Sequence, residues 1–179
     1  MMDMHFKLMV SVGQQQLTVL KNEVVFKKFM ISTAKNGVGQ LQGSECTPLG
    51  RHRIYQKIGD RAPVNAVFVG RQQQHEVYTE QLAKQQPDRD WILTRILWLD
   101  GLEEGYNSGN LTSVEKDENN NFNAPSCDTK SRFIYIHGCP DSHAMQIPSS
   151  HGCIKMRNSD VIELFNLIPV DTEVHIFVE

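Results

Sequence analysis

Ser149-Ser150-His151-Gly152-Cys153-Ile154-Lys155-Met156-Arg157-Asn158 gathers a thiol, an imidazole, a glycine and two cations into one short stretch. Shortly upstream, Phe133-Ile134-Tyr135-Ile136-His137-Gly138 reads as an apolar strand that ends on a second His-Gly pair. A free cysteine has a pKa of roughly 8.5, so only a small fraction is thiolate at neutral pH, and attack on a carbonyl needs help from a base. A nearby imidazole is such a base. Gly152 has no Cβ, which lets the backbone turn sharply before Cys153 and aim the N–H groups of Gly152 and Cys153 at an oxyanion. The two stretches therefore read as an acyl-transfer nucleophile with its oxyanion hole, beside an apolar strand that carries the base.

Further out, Tyr135-Ile136-His137-Gly138, a gap of about a dozen residues, and Ser150-His151-Gly152-Cys153-Ile154 together resemble the active-site signature of the L,D-transpeptidase catalytic domain, also called the YkuD domain. Thr47-Pro48-Leu49-Gly50 is similar to the family's Thr-Pro-x-Gly turn, and Ile92 to Asn107 to its central strand and following loop. The likeness runs from about Phe6 to the C-terminus. It implies a mainly β, β-sandwich-like fold with one or two short helices and a long polar loop. It also implies that the backbone carbonyl of Gly138 orients His137. One position departs from the pattern: Lys155 stands where the family usually carries arginine. A lysine is a point charge without the planar fork that grips a carboxylate through two hydrogen bonds.

Composition agrees with one soluble globular domain spanning 1–179, since 40% of residues are hydrophobic and 22% charged. A formal net charge of −3 argues against a general nucleic-acid binder. No stretch approaches the roughly 20 apolar residues of a membrane span, and the N-terminal residues show no basic and apolar signal pattern. Cys46, Cys127, Cys139 and Cys153 are too few and too scattered for a disulfide framework, which suits a reducing compartment. The expectation is a cytoplasmic protein, or a periplasmic one if an export signal has been removed.

Phe6, Leu8, Val10 and Val12 alternate with more polar neighbours as in a half-buried strand. A turn at Gly13-Gln14 and a second strand over Gln16 to Leu20 complete a hairpin. A further turn at Lys21-Asn22-Glu23 leads to a third strand over Val24 to Ile31. Ser32 to Glu45 reads as a surface loop closed by Thr47-Pro48-Leu49-Gly50, and Arg51 to Ile58 as a strand. Thr79 to Gln86 has helical composition stopped by Pro87. Trp91 to Leu99 is apolar enough for a buried central strand, and Gly101 to Lys130 turns polar, as a lid or a plain solvated loop. Arg132 to Ile136 is a strand delivering His137. Val161, Leu164, Phe165 and Ile168 mark one helix face, with Asp160 and Glu163 at capping-box spacing and Pro169 as its stop. Thr172 to Val178 closes as a strand.

Among the site candidates, Cys153 is the expected nucleophile and His137 the general base. The catalytic set is Cys153, His137, Gly138 and His151, with Gly152 and Cys153 as the oxyanion hole. His151 either tunes the site or is purely structural. Ser150, Lys155, Arg157 and Tyr135 are candidates for touching substrate; Lys155 and Arg157 read equally well as surface charges, and Ser150 as a turn cap. A rival zinc site from Cys139, His143, His151 and Cys153 lacks familiar ligand spacing and would silence the nucleophile, so neither metal nor other cofactor is expected. The family resemblance implies chemistry on peptidoglycan stems. Cys153 would attack the carbonyl joining the third residue, commonly meso-diaminopimelate, to the terminal D-alanine, leaving a thioester. Water would then make the protein an L,D-carboxypeptidase of murein recycling, whereas an amine from a second stem would make it an L,D-transpeptidase. A non-catalytic muropeptide-binding domain is the reading from another class.

Overall fold

A computed structural model of the chain describes residues 5–112 and 124–179. The alternating N-terminal segments form β1 (Phe6–Ser11), β2 (Gln16–Lys21) and β3 (Val24–Met30), paired antiparallel as a meander. Asn22 and Glu23 both have positive φ, 50° and 63°, the backbone of the tight hairpin turn whose twist matches that of its strands. The chain then runs to β4 (Gly50–Ile58), β5 (Ala66–Val69), β6 (Gln72–Val77), α1 (Glu80–Gln85) and β7 (Ile92–Gly101). It ends with β8 (Tyr135–Gly138), β9 (Ile154–Met156), α2 (Asn158–Leu167) and β10 (Glu173–Phe177).

These strands make one hydrogen-bonded system in the order β3-β2-β1-β10-β4-β7-β5-β6, with β8 on the other edge of β7 and β9 parallel to β8. The mainly β class, with two short helices, is as the sequence predicts. Alternation along β7, β8 and β9 divides the side chains between two apolar clusters. Leu97, Leu99, Ile134, Ile136, Ile154 and Met156 face the large core with β1, β2, β10 and α2. Ile96, Trp98, Tyr135 and Cys153 face a smaller cluster with Phe68 and Ala66. The second face is the one that carries the site.

Several boundaries differ from expectation. The β5–β6 hairpin has no clear signature because β6 is an edge strand of Gln72-Gln73-Gln74-His75-Glu76-Val77, whose exposed positions need no apolar alternation. β8 begins at Tyr135 rather than Arg132, since Phe133 has φ 56° and breaks the extended run. The Asp160–Glu163 capping box does not form: α2 starts at Asn158, and Arg157 at its cap position makes no side-chain capping bond. Ser32, Thr33 and Ala34, expected at the surface, are buried, and Ser32 and Ala34 bridge to Lys155 and Ser150. Of the polar span 101–130, residues 113–123 lie outside the described residues, so its reading as a lid extends beyond them. The described flanks are tied together where Leu111 N donates to Pro125 O and Cys127 N to Gly109 O. No helix among the described residues is long and apolar enough to cross a membrane.

His52 is a fully buried histidine with both ring nitrogens engaged. Its Nδ1 lies 3.0 Å from Gly50 O, and its Nε2 lies 3.0 Å from Thr129 Oγ1. The tautomer that satisfies both carries its proton on Nδ1. Burial pushes its pKa down from 6.5 to about 4. As pH falls the unfolded chain takes up this proton first, so the contribution is full above 6.5 and is lost progressively toward about 4. The expected loss is on the order of 3 kcal/mol over that window. Urea denaturation at several pH values checks it, and His52→Gln should flatten the dependence.

Candidate active site

Cys153 lies immediately before β9, and the parallel register pairs Ile154 with Ile136 and Lys155 with His137. Strand alternation therefore places Tyr135, His137, Cys153 and Lys155 on one face. The segment is fixed from three sides. Thr47, in the Thr-Pro-x-Gly turn, donates its hydroxyl to Gly152 O at 2.9 Å. Arg132 donates to Cys46 O at 2.6 Å and to Gly39 O and Gln40 O at 3.1 Å, holding the adjoining loop. Ser150 donates to Cys153 O at 2.5 Å while its hydroxyl accepts Gly152 N–H at 3.2 Å. Gly152 has φ 127°, and a Cβ there would sit 3.0 Å from Ile134 Cδ1, so glycine meets both a backbone and a steric demand.

Of the two readings of Ser150, the turn cap is the one its hydrogen bonds describe, and one expectation about the oxyanion donors changes. Ser150 caps the turn rather than reaching into the cleft. It also occupies the Gly152 N–H, which takes that group out of the resting set of oxyanion donors and leaves the Cys153 N–H as the expected member still available.

His137 is fully buried, and its Nδ1 lies 2.7 Å from Gly138 O. With a proton on Nδ1 that nitrogen donates to the carbonyl, and the lone pair is left on Nε2, which has no hydrogen-bond partner. Gly138 packs against a polar network centred on two buried residues, Thr94 and Asn158. Thr94 has φ 72°, unusual for a β-branched residue, and donates its hydroxyl to Asn158 Oδ1 at 2.5 Å. Asn158 Nδ2 donates to Asn65 Oδ1 at 2.9 Å and to Asp141 Oδ1 at 3.2 Å. A Cβ on Gly138 would lie 2.6 Å from both Asn158 Oδ1 and Leu93 O, which excludes any side chain there.

The sulfur of Cys153 accepts the Tyr135 N–H at 3.3 Å and lies 3.5 Å from Phe133 O, in place of a contact with His137. Although part of the residue reaches solvent, the sulfur is packed against strand backbone. Burial pushes the thiol up to about 12; Asp90 adds to the rise, and Tyr135 N–H, Lys155 and Arg132 oppose it. Burial likewise lowers the His137 pKa, with Lys155 adding and Asp90 and the Gly138 carbonyl opposing. With the thiol raised and the imidazole lowered, the resting pair is a neutral thiol and a neutral imidazole. Alkylation of Cys153 by iodoacetamide should therefore climb about tenfold per unit between about pH 7 and about pH 10. Peptide mass spectrometry reads this, and a plateau near neutral pH would reveal a preformed ion pair instead.

The remaining candidates separate clearly. His151 is exposed, with Nδ1 3.4 Å from Asp90 Oδ2, and stands between two clefts of about 290 and 270 Å3. Phe133, Ile134 and Arg132 line the first; Asp90, Lys155 and His143 line the second. Lys155 is 5% exposed and faces the cleft. Arg157 heads α2 and lines neither of these clefts. The Tyr135 ring is buried in the apolar cluster against which Cys153 packs, its hydroxyl accepts from Arg71 at 3.0 Å, and its backbone N–H is the group that donates to the sulfur. Cys139 is buried and donates to Met156 O at 3.4 Å. No three His, Cys, Asp or Glu side chains among the described residues converge on a possible metal position. Asp90 and Arg132 are the site residues that sequence reasoning misses.

A catalytic-domain family matches this arrangement along almost the whole chain: the L,D-transpeptidase catalytic domain, YkuD, over residues 5–176. The chain belongs to that family. Similar solved structures are an L,D-transpeptidase from Mycobacterium smegmatis, at 12% identity and TM-score 0.53, and L,D-transpeptidase 3 from Mycobacterium tuberculosis with a faropenem-derived adduct, at 15% and 0.54. A mutant L,D-transpeptidase from Enterococcus faecium is similar at 13% identity and TM-score 0.53. The matches cover 98%, 98% and 97% of this chain but 59%, 61% and 50% of those chains, so the protein spans about half to three-fifths of their length. At these identities the likeness is one of fold. No curated protein sequence matches the chain.

Proposed function

We propose that the protein is a cysteine-dependent L,D-carboxypeptidase that removes the terminal D-alanine from tetrapeptide stems of soluble muropeptides. The observation that carries the chemistry is the buried imidazole of His137. Its Nδ1 is committed to Gly138 O, its Nε2 is empty, and it shares a strand face with Cys153. Substrate binding turns the thiol away from Phe133 O toward that lone pair. Nε2 takes the proton as sulfur adds to the carbonyl of the third residue, and the Cys153 N–H faces the developing oxyanion. His137 then returns the proton to the leaving amine of D-alanine, which departs and leaves a thioester on Cys153. A water, deprotonated by the same nitrogen, releases the tripeptide and restores the thiol.

Water as the acceptor needs no binding site beyond the clefts of about 290 and 270 Å3 that flank His151. A second reading draws on their placement: one cleft on each side of His151 offers donor and acceptor positions for L,D cross-linking. Incubation with a purified tetrapeptide muropeptide separates the two. Tripeptide and free D-alanine are expected; cross-linked dimers would support the transpeptidase, and binding without turnover a non-catalytic muropeptide receptor. Work on soluble fragments also suits a cytoplasmic site of action, which fractionation of the native protein tests.

A further inference from the structure

The cleft of about 270 Å3 contains two opposite charges that the chemistry above does not use. Lys155 is 5% exposed, yet its ammonium donates only to Ser149 O, at 3.3 Å, and makes no ion pair among the described residues. An ammonium has three N–H donors, and a buried one without a carboxylate is unfavourable unless a ligand completes it. Asp90 lines the same cleft, and its ion-pair contact is the weak one with His151. The two charges act in opposite directions on His137, Cys153 and His143, which places both around the same point. They nevertheless stand more than a salt-bridge distance apart, with space between them. The other charged groups lining that cleft are Asp88, which is exposed, and Arg89, which is half-buried, already engaged by Glu76 and Gln86, and stacked 4.4 Å over Trp91.

We propose that Asp90 and Lys155 are the two poles of a subsite for a zwitterionic α-amino acid head group. The ligand's ammonium faces Asp90 and its carboxylate faces Lys155. On a stem peptide this group is the free end of a third-position diaminopimelate, whereas a third-position lysine offers an amine without the carboxylate. The identity of the ligand rests on the proposed function; the charge pattern of the subsite does not. A single ammonium at Lys155 suffices here, because Asp90 supplies the orientation that a two-pronged arginine would otherwise give.

The test is equilibrium binding to the Cys153→Ala protein of two tetrapeptides that differ only in a meso-diaminopimelate or an L-lysine at the third position. The diaminopimelate peptide should bind roughly tenfold to a hundredfold more tightly. Lys155→Met in that background should cut this preference to within about threefold while leaving the affinity for the lysine peptide nearly unchanged, whereas Asp90→Asn, which loses the contact to the amine that both peptides carry, should weaken both by a similar factor of about threefold to tenfold; an Asp90→Asn protein that binds both as tightly as the parent would overturn the ammonium pole. Asp90 is exposed, so its variant folds even if the buried Lys155→Met does not. Equal affinities in the parent would overturn the subsite. So would equal weakening of both peptides by Lys155→Met, which would assign the ammonium to the terminal D-alanine carboxylate. D-alanine release by the intact protein is read separately. Selective binding without release sinks the proposed reaction and keeps the subsite, and release without selectivity does the reverse.

Discussion

Cys153→Ser is expected to lower tripeptide release by about 10^4-fold or more, with the fold left intact. A serine hydroxyl fits the same place, accepting the Tyr135 N–H and donating to Phe133 O, so the resting contacts survive. Thermal stability should therefore move by no more than about 1 kcal/mol. The chemistry does not survive. The Cys153 thiol is already hard to ionise, pushed up to about 12, and a hydroxyl is both harder to ionise and the poorer nucleophile. Substrate affinity should change little. Retained turnover in this variant would remove Cys153 from the reaction.

His137→Gln should reduce turnover by about 10^2- to 10^4-fold and also change its pH dependence. The side chains are similar in size, and glutamine can still donate to Gly138 O, so the buried space stays filled. What disappears is the Nε2 lone pair. In the wild type, burial holds this histidine below its ordinary pKa of 6.5, so kcat/KM should stay level down to slightly acid pH and fall only once the imidazole is protonated. The variant should lack that acid limb. A full loss of folding, read by near-ultraviolet circular dichroism, would show that His137 acts as a structural plug instead.

The sequence makes the site legible where chemistry and local geometry coincide. A glycine before Cys153, a His-Gly pair at the end of an apolar strand and a Thr-Pro-x-Gly turn are all local patterns, and the fold brings all three to one place. It is silent where a residue matters only through distant packing. Asp90 follows a short helix with no distinguishing neighbour, and it acts on the site because the segment after α1 returns to His151. Thr94 looks like an interruption in an apolar strand, but its left-handed backbone and its bond to Asn158 shape the wall behind Gly138. β6 is hidden for the opposite reason, being an edge with little to bury. The ionisation state of the thiol is likewise beyond local reading, since the motif shows that a base is near while burial, a property of the whole fold, raises the thiol pKa.

Rapid-quench mass spectrometry of the protein mixed with excess tetrapeptide reads the thioester on Cys153 itself. The peptide containing Cys153 should gain the mass of the substrate less D-alanine, and the gain should be absent in His137→Gln at the same time point. A burst of D-alanine stoichiometric with protein, without any acyl group on that peptide, would rule out acyl transfer through Cys153.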